Sequence, residues 1–445
     1  MSGRAHDVRH LGGGEKLNEG SKREFDIAVV GAGAAGLAAA LAFARDGFKT
    51  ALVGIPDPRS DGRTIALLDG SVRFLQALDV WASLARDAAP LAVMRIIDDT
   101  GSLFRPPPVS FPAGEIGLDA FGWNVENQVL VSRLAAAAAS EPRLTILHDH
   151  AVGREIEDDA ATVALQSGPS VRASLAVAAD GRNSRLREGA GIRTRTWSYP
   201  QSALTTILAH DRDHRDASTE FHTRSGPFTL VPLPGRRSSL VWVVDPQAAG
   251  RLVALDDDAL ALEVERQAQS LFGTMRIDGL RAVVPLSGLS VECYVSTRLA
   301  LVGEAAHVFP PIGAQGLNLG LRDVAALRDA VVDARQAGED VGGQGALSRY
   351  QRGRELDVRL RSAAVDGLNR TLLADFLPAD LLRGIGLLAL AGIGPLRRAA
   401  MREGVLPSLG APRLMRAEPV SPDTPARAEP KNRSLHRRSK EPLNG

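Results

Sequence analysis

Residues 25–53 limit what this chain can fold into more than any other stretch. Phe25-Asp26-Ile27-Ala28-Val29-Val30 is a short apolar run suited to a buried strand. Gly31-Ala32-Gly33-Ala34-Ala35-Gly36 follows, then an Ala/Leu-rich helical segment from Leu37 to Arg45 and a second strand, Thr50 to Val53. This is GxGxxG in strand–turn–helix context. Gly31 makes the tight turn, Gly33 admits a pyrophosphate, and Gly36 lets helix and strand approach closely. The unit does not by itself separate NAD from FAD. The second strand of such units commonly ends on an acid that holds ribose hydroxyls. Here that place is taken by Gly54, followed by Ile55-Pro56-Asp57-Pro58. An NAD role loses its main ribose anchor. An FAD role survives if other segments grip the adenosine, and Arg63, in Asp61-Gly62-Arg63-Thr64, is a candidate.

A second glycine-rich turn lies far downstream. The apolar run Leu299-Ala300-Leu301-Val302 reads as a buried strand and leads into Gly303-Glu304-Ala305-Ala306-His307, then Pro310-Pro311-Ile312-Gly313-Ala314-Gln315-Gly316. Leu317, Leu319, Leu321, Val324, Leu327 and Val331 follow at helical spacing. Gly313 and Gly316 let a ligand lie on the backbone, and the N–H groups opening the helix face it with the positive end of the dipole behind them. That arrangement suits a planar cofactor that becomes anionic, such as a reduced flavin.

Composition narrows the choice further. The 445 residues suggest about three domains at ~150 residues each, and 44% hydrophobic content supplies a large core. A net charge of +1 gives no electrostatic case for nucleic acid. The one cysteine, Cys293, has no internal disulfide partner and reads as a buried thiol. No metal-ligand spacing and no nucleophile elbow occur, so neither a metal site nor a hydrolase is expected. Residues 1–24 lack the apolar core of a signal peptide. They and the Pro/Arg/Glu/Ser-rich residues 412–445 read as disordered.

Five stretches, in this order, resemble the class A FAD-dependent aromatic hydroxylases of the 4-hydroxybenzoate-hydroxylase-like fold. Within these, the match is to the ubiquinone-biosynthesis branch of 2-polyprenylphenol and 2-polyprenyl-6-methoxyphenol hydroxylases. The stretches are Gly31–Gly36; Asp61-Gly62-Arg63 continuing to Trp81; Val125-Glu126-Asn127-Gln128-Val129-Leu130; Ala179-Asp180-Gly181-Arg182-Asn183-Ser184; and Gly303 to Asn318, running on to Arg322-Asp323. The resemblance implies that Gly31, Gly33 and Gly36 face the FAD pyrophosphate. Arg63 and Asn127 would contact the ADP or ribityl portion, and Asp180-Gly181 would serve FAD and the nicotinamide nucleotide. It places the acid after Gly303 on the flavin ribose or ribityl hydroxyls. Here that acid is Glu304 where the family has Asp. Pro311, Gly313, Gly316, Leu317 and Asn318 would line the isoalloxazine. His307 reads as a supporting hydrogen-bonding residue, since the flavin carries the difficult chemistry. No catalytic base is identifiable; His210, Tyr199 and His222 lie in the substrate half and read as structural or surface residues.

The implied fold is α/β. A discontinuous Rossmann-type FAD-binding domain (25–88, 124–193, 282–365) carries an inserted β-sheet substrate domain (89–123, 194–281) and a C-terminal helical segment (366–411). Two strands are expected around the turn Pro234-Gly235-Arg236-Arg237, and a helix capped by Asp256-Asp257-Asp258 and ended by Gly273. The implied reaction is ring hydroxylation of a polyprenylated phenol through a flavin C4a-hydroperoxide. It uses non-covalent FAD, O2, and NAD(P)H or another electron donor. A prenyl reductase and a non-catalytic FAD-binding partner of a biosynthetic complex are the alternatives on this fold. A bilayer-resident substrate implies a cytoplasmic protein with peripheral contact to the inner membrane and a place in a ubiquinone-biosynthesis complex. The uncharged run from Gly384 to Leu396, flanked by Arg383, Arg397, Arg398 and Arg402, is too short to span a bilayer. It fits either an interfacial contact or packing on the protein's own core.

Overall fold

The computed structural model describes residues 23–57, 59, 62–101, 107–310, 315–355, 357–358, 392–405 and 410–416. Pro311, Gly313, Asp61 and residues 384–391 lie outside these. So do residues 1–22 and 417–445 of the expected disordered ends.

Two large sheets carry the molecule. The first is eight-stranded and is built on the predicted unit: strand Arg23–Val30, helix Ala34–Arg45 and strand Thr50–Val53. Arg23–Val30 is central, pairing parallel with Thr50–Val53 on one side and Ser170–Ala178 on the other. Leu299–Leu301 adds parallel to Ser170–Ala178, and Leu144–Leu147 adds parallel to Thr50–Val53. Ile27, Ala28, Leu52, Leu175, Ala176 and Leu301 are wholly buried, as expected of parallel strands covered on both faces. Helix Ala34–Arg45 lies on these strands, and helix Gln315–Gln336 packs on that helix and on the turn at Gly303.

The second sheet is nine-stranded and mostly antiparallel, with Thr194–His210 near its centre. The hairpin around Pro234–Arg236 forms from Gly226–Leu233 and Arg237–Val244. One face is buried under two helices, Pro246–Ala254 and Asp257–Gln267, where Leu204, Phe228, Leu240 and Trp242 pack with Leu260 and Val264. Asp256 caps the second helix, accepting from the Ala259 N–H at 2.7 Å. That helix stops at Gln267, before Gly273, because Gln269 and Ser270 turn to positive φ.

Three further sequence expectations change. Ala282–Val291, assigned to the flavin half, hydrogen-bonds along Thr194–His210 and belongs to the second sheet. Cys293 is exposed, because it sits in the short connection between Val291 and Val295, outside both strands. Within the expected C-terminal tail, Arg413–Met415 forms a 3₁₀ turn. Met415 is buried and Arg413 pairs with Asp329 and Asp333, so one apolar and one ionic anchor hold this piece to the core.

A third sheet of three strands, Thr64–Leu68, Ala88–Pro90 and Gly122–Glu126, joins the two. Thr64 Oγ1 donates to Ser239 Oγ at 2.8 Å, and Asn124 Nδ2 donates to the Pro232 carbonyl at 2.9 Å.

Candidate cofactor and active site

Gly31, Gly54, Asp180 and Gly303 each lie just beyond the carboxyl end of a parallel strand of the first sheet, the edge at which open α/β sheets bind ligands. The three glycines of the first turn differ in what surrounds them. A Cβ on Gly31, whose φ is +110°, would stand 2.2 Å from the Ala179 carbonyl oxygen, and one on Gly36 would stand 1.8 Å from the Gly31 carbonyl oxygen. Both are required by the protein's own packing. Gly33 is exposed, and a Cβ there would meet nothing within 4 Å. That is the free cradle a pyrophosphate needs.

Gly54 has φ +154°, and a Cβ there would lie 2.8 Å from the Ala32 nitrogen. The first turn packs so closely on the second strand that no acidic side chain fits at this position. The missing ribose acid is a consequence of this contact.

Asp180 is part-buried next to the first turn. Burial raises its pKa above the ordinary 3.8, opposed by hydrogen bonds from Ser184 and nearby backbone. Its Oδ2 accepts from the Leu186 N–H at 3.4 Å. Its Oδ1 is buried with no hydrogen-bond partner among the described residues, an acceptor open to a ligand hydroxyl. Gly181 follows with φ +82° and open space at its Cβ position.

Glu304 occupies a 3₁₀ turn, Gly303–Ala305, between buried Gly303 and buried Ala305. Its side chain is exposed and makes no ion pair or hydrogen bond with the described residues. The turn itself is held from below. Asp323, wholly buried on helix Gln315–Gln336, accepts at Oδ2 from the Gly303 N–H at 2.9 Å and from His307 Nε2 at 2.7 Å. Its Oδ1 accepts from Arg354 Nε at 2.7 Å, and Arg354 also bonds Asp357. Burial alone would raise the Asp323 pKa; the charges of His307 and Arg354 and the hydrogen bonds from His307 and Gly303 outweigh it and hold it below 3.8. His307 therefore sits under the turn, as its reading as a supporting residue expects. Arg187, unremarked in the sequence, is buried and donates to the Ala305 carbonyl at 3.0 Å and the Arg182 carbonyl at 2.9 Å. It ties the Asp180 loop to the Glu304 turn. No local signal marks it, since it stands among the charged residues Arg185-Leu186-Arg187-Glu188.

Arg63 and Asn127 adjoin each other: the Asn127 N–H donates to the Arg63 carbonyl at 3.0 Å. Arg63 is exposed and Asn127 half-buried. Gly316 and Leu317 open the helix Gln315–Gln336, with Gly316 exposed and free of neighbours at its Cβ position. Asn318 is buried and spends its side chain on the joining sheet. Its Oδ1 accepts from the Leu68 N–H at 2.9 Å and Ser71 Oγ at 2.7 Å, and its Nδ2 donates to the Ala66 carbonyl at 2.7 Å. It positions the segment bearing Arg63. The open cradle at Gly33, the unpaired Asp180 Oδ1 and the free Glu304 carboxylate fit a dinucleotide laid along this edge with its flavin over the Gly316 helix.

The family described as FAD binding domain matches residues 24–356. Similar solved structures include p-nitrophenol 4-monooxygenase from Pseudomonas putida, with TM-score 0.70 and 17% identity over 86% of this chain and 98% of that one. Another is the flavin-dependent monooxygenase PieE in complex with FAD and substrate, with TM-score 0.66 and 20% identity over 93% and 79%. These define the fold. The chain belongs to the FAD-dependent hydroxylases, in their ubiquinone-biosynthesis branch. Within it, the chain is 36% identical to the ubiquinone hydroxylase UbiL of Rhodospirillum rubrum, over 89% of this chain and 93% of that protein. It is 32% identical to the 3-demethoxyubiquinol 3-hydroxylase of Escherichia coli, over 85% and 97%.

Proposed function

We propose that this protein is an FAD-dependent monooxygenase that hydroxylates the aromatic ring of a polyprenylated phenol in ubiquinone biosynthesis. The observation that carries the reading is the cofactor edge, where Gly33, Asp180 and Glu304 leave one cradle and two acceptors open beside a second sheet. When bound, FAD supplies two-electron reduction and the activation of O2, with NAD(P)H or another donor as the reductant. The protein's own tasks are to hold the phosphates over Gly33, to hold hydroxyls at Asp180 and Glu304, and to place N–H groups of the Gly316 helix against developing negative charge. The second sheet holds the ring and keeps water out.

Among the described residues no helix is long and apolar enough to cross a membrane. Peripheral contact with the inner membrane, from the cytoplasmic side, and a place in a ubiquinone-biosynthesis complex belong to this reading because the substrate resides in the bilayer. Helix Gly394–Val405 packs on the protein through buried Met401 and an Arg397–Glu115 ion pair of 2.7 Å. These contacts hold the segment that follows the Gly384–Leu396 run, while Ile393 within the run is 52% exposed.

The test is turnover of the FAD-loaded protein with a 2-prenylphenol, O2 and NAD(P)H. A ring-hydroxylated product in step with oxygen consumption is expected. Reductant oxidation that yields only hydrogen peroxide across prenylphenols of both ring patterns would defeat the reading.

A further inference from the structure

The face of the second sheet turned away from its helices carries a row of side chains running across six strands. Ala282 pairs with Thr205, Thr205 with Val241, Val241 with Thr229, Thr229 with Glu220, and Glu220 with Ile96. Directly paired residues share a face, and their neighbours along each strand share the other. Those neighbours, Leu204, Leu240, Leu230 and Phe221, are buried beneath the helices. All six members of the row are part-exposed, whereas residues on either side of the row are mostly buried. One step along the sheet on the same face is Ser239, which accepts from Thr64 of the joining sheet. The row thus lies part-exposed on the face by which Ser239 meets the joining sheet.

Five of the six side chains are Ala, Val, Ile or Thr. The sixth is a carboxylate, and it is held in place. Glu220 Oε1 accepts from His222 Nε2 at 2.7 Å, and Oε2 accepts from Thr229 Oγ1 at 3.3 Å. Since a carboxylate only accepts, His222 carries its proton on Nε2. His222 is 5% exposed, and its Nδ1 is buried with no hydrogen-bond partner among the described residues. Glu220 keeps 21% side-chain exposure. A part-exposed carboxylate on an apolar floor, oriented from beside by a buried imidazole on the same face, is arranged to receive a proton from something lying on that floor.

We propose that Glu220 is the catalytic residue that accepts the ring-hydroxyl proton of the substrate, with His222 and Thr229 as its positioning residues. This rests on the hydroxylase reading above. The ring carbon would give an electron pair to one oxygen of the O2 that reduced FAD activates. The O–O bond would break and the other oxygen would leave as water, and the ring O–H becomes strongly acidic as this happens. That bond breaks, its electron pair becomes the second bond of a ring carbonyl, and the proton passes to Glu220. When the attacked carbon then loses its own hydrogen as a proton, the ring becomes aromatic again and Glu220 returns a proton to the ring oxygen. The remaining row residues form an apolar bed for the ring and the start of its prenyl chain.

The experiment uses the full-length holoenzyme with a short-chain 2-prenylphenol and a ring-fluorinated analogue whose hydroxyl is already ionised at the assay pH. Glu220→Gln should retain FAD and melting temperature, lose about a hundredfold or more in kcat on the prenylphenol, and change KM less than about threefold. The loss should shrink at least tenfold on the ionised analogue, and Glu220→Asp should recover part of it. His222→Gln should give a smaller kcat loss with the same dependence on substrate. If wild type hydroxylates and Glu220→Gln stays within twofold of it, or loses equally on both substrates, Glu220 is not the proton acceptor while the hydroxylase reading stands. If Glu220→Gln fails to fold, unchanged kcat in both Glu220→Asp and Thr229→Val overturns the assignment. If wild type hydroxylates neither substrate, the functional reading and this role fall together.

Discussion

The turn after Val30 and the turn after Leu301 stand at the same sheet edge and are held in opposite ways. The first is fixed by volume: carbonyl oxygens of Ala179 and Gly31 fill the space a side chain would need at Gly31 and Gly36. The second is fixed by charge: Asp323, His307 and Arg354, all buried, draw the Gly303 N–H down onto a carboxylate. A site built by sterics fails when an atom is added, and one built by buried charge fails when a partner is removed.

That contrast can be broken by experiment. The largest effect is expected from Gly36→Val, whose Cβ would overlap the Gly31 carbonyl. No folded protein should be recovered, and a soluble, cooperatively melting variant would contradict the steric account. Asp323→Ala comes next. It strands two buried bases and should cost about 3–5 kcal/mol of stability by chemical denaturation. The acid limb sharpens this. The folded pKa of Asp323 lies below 3.8, so its contribution is fully present above that value and is lost as pH falls through the lower folded value. Asp323→Asn should remove that segment of the acid denaturation curve. An unchanged curve would show that charge does not hold the second turn.

Gly33→Val separates ligand from fold. With no protein atom within 4 Å of its Cβ position, the variant should melt like wild type. It should lose FAD affinity by more than about a hundredfold, ~2.8 kcal/mol. Full flavin absorbance after gel filtration would remove the pyrophosphate from this turn. Glu304→Gln is the mildest. A hydrogen bond to a charged group is worth roughly 1.5–3 kcal/mol, so FAD titration should show a ten- to hundredfold weaker complex and an unchanged melt. Unaltered affinity would mean that Glu304 faces solvent in the holoenzyme too.

The same contrast explains what could be read from the sequence. Local patterns were legible: Arg23–Val30, Thr50–Val53, the Pro234 hairpin and the Asp256 cap follow from apolar runs, turn residues and capping chemistry within a dozen positions. Asn318 was visible as part of a motif, yet its bonds run to Ala66, Leu68 and Ser71, which no spacing rule connects to it. Arg187 and Arg354 were missed for the same reason, since a buried arginine is defined by partners distant in sequence. Glu220 was hidden by strand alternation. Between buried Thr219 and buried Phe221 it looks like any outward-facing residue, and only the register across neighbouring strands shows where it points.

Gly303 and Gly320 approach so closely that a Cβ on Gly320 would lie 3.1 Å from the Gly303 Cα, with the Ala35 methyl beside both. The first helix, the second turn and the long helix therefore meet along one seam of small residues. During synthesis the Gly31–Gly36 turn leaves the ribosome early, but the surface against which it closes is not translated until Gly303 and Gly320 appear. The Asp323–Arg354 pair that holds that surface comes later still. If FAD binds as proposed, its capture would wait until Gly303, Gly320 and Arg354 have been made, and a polypeptide cut before them would carry the first turn without the means to retain the cofactor.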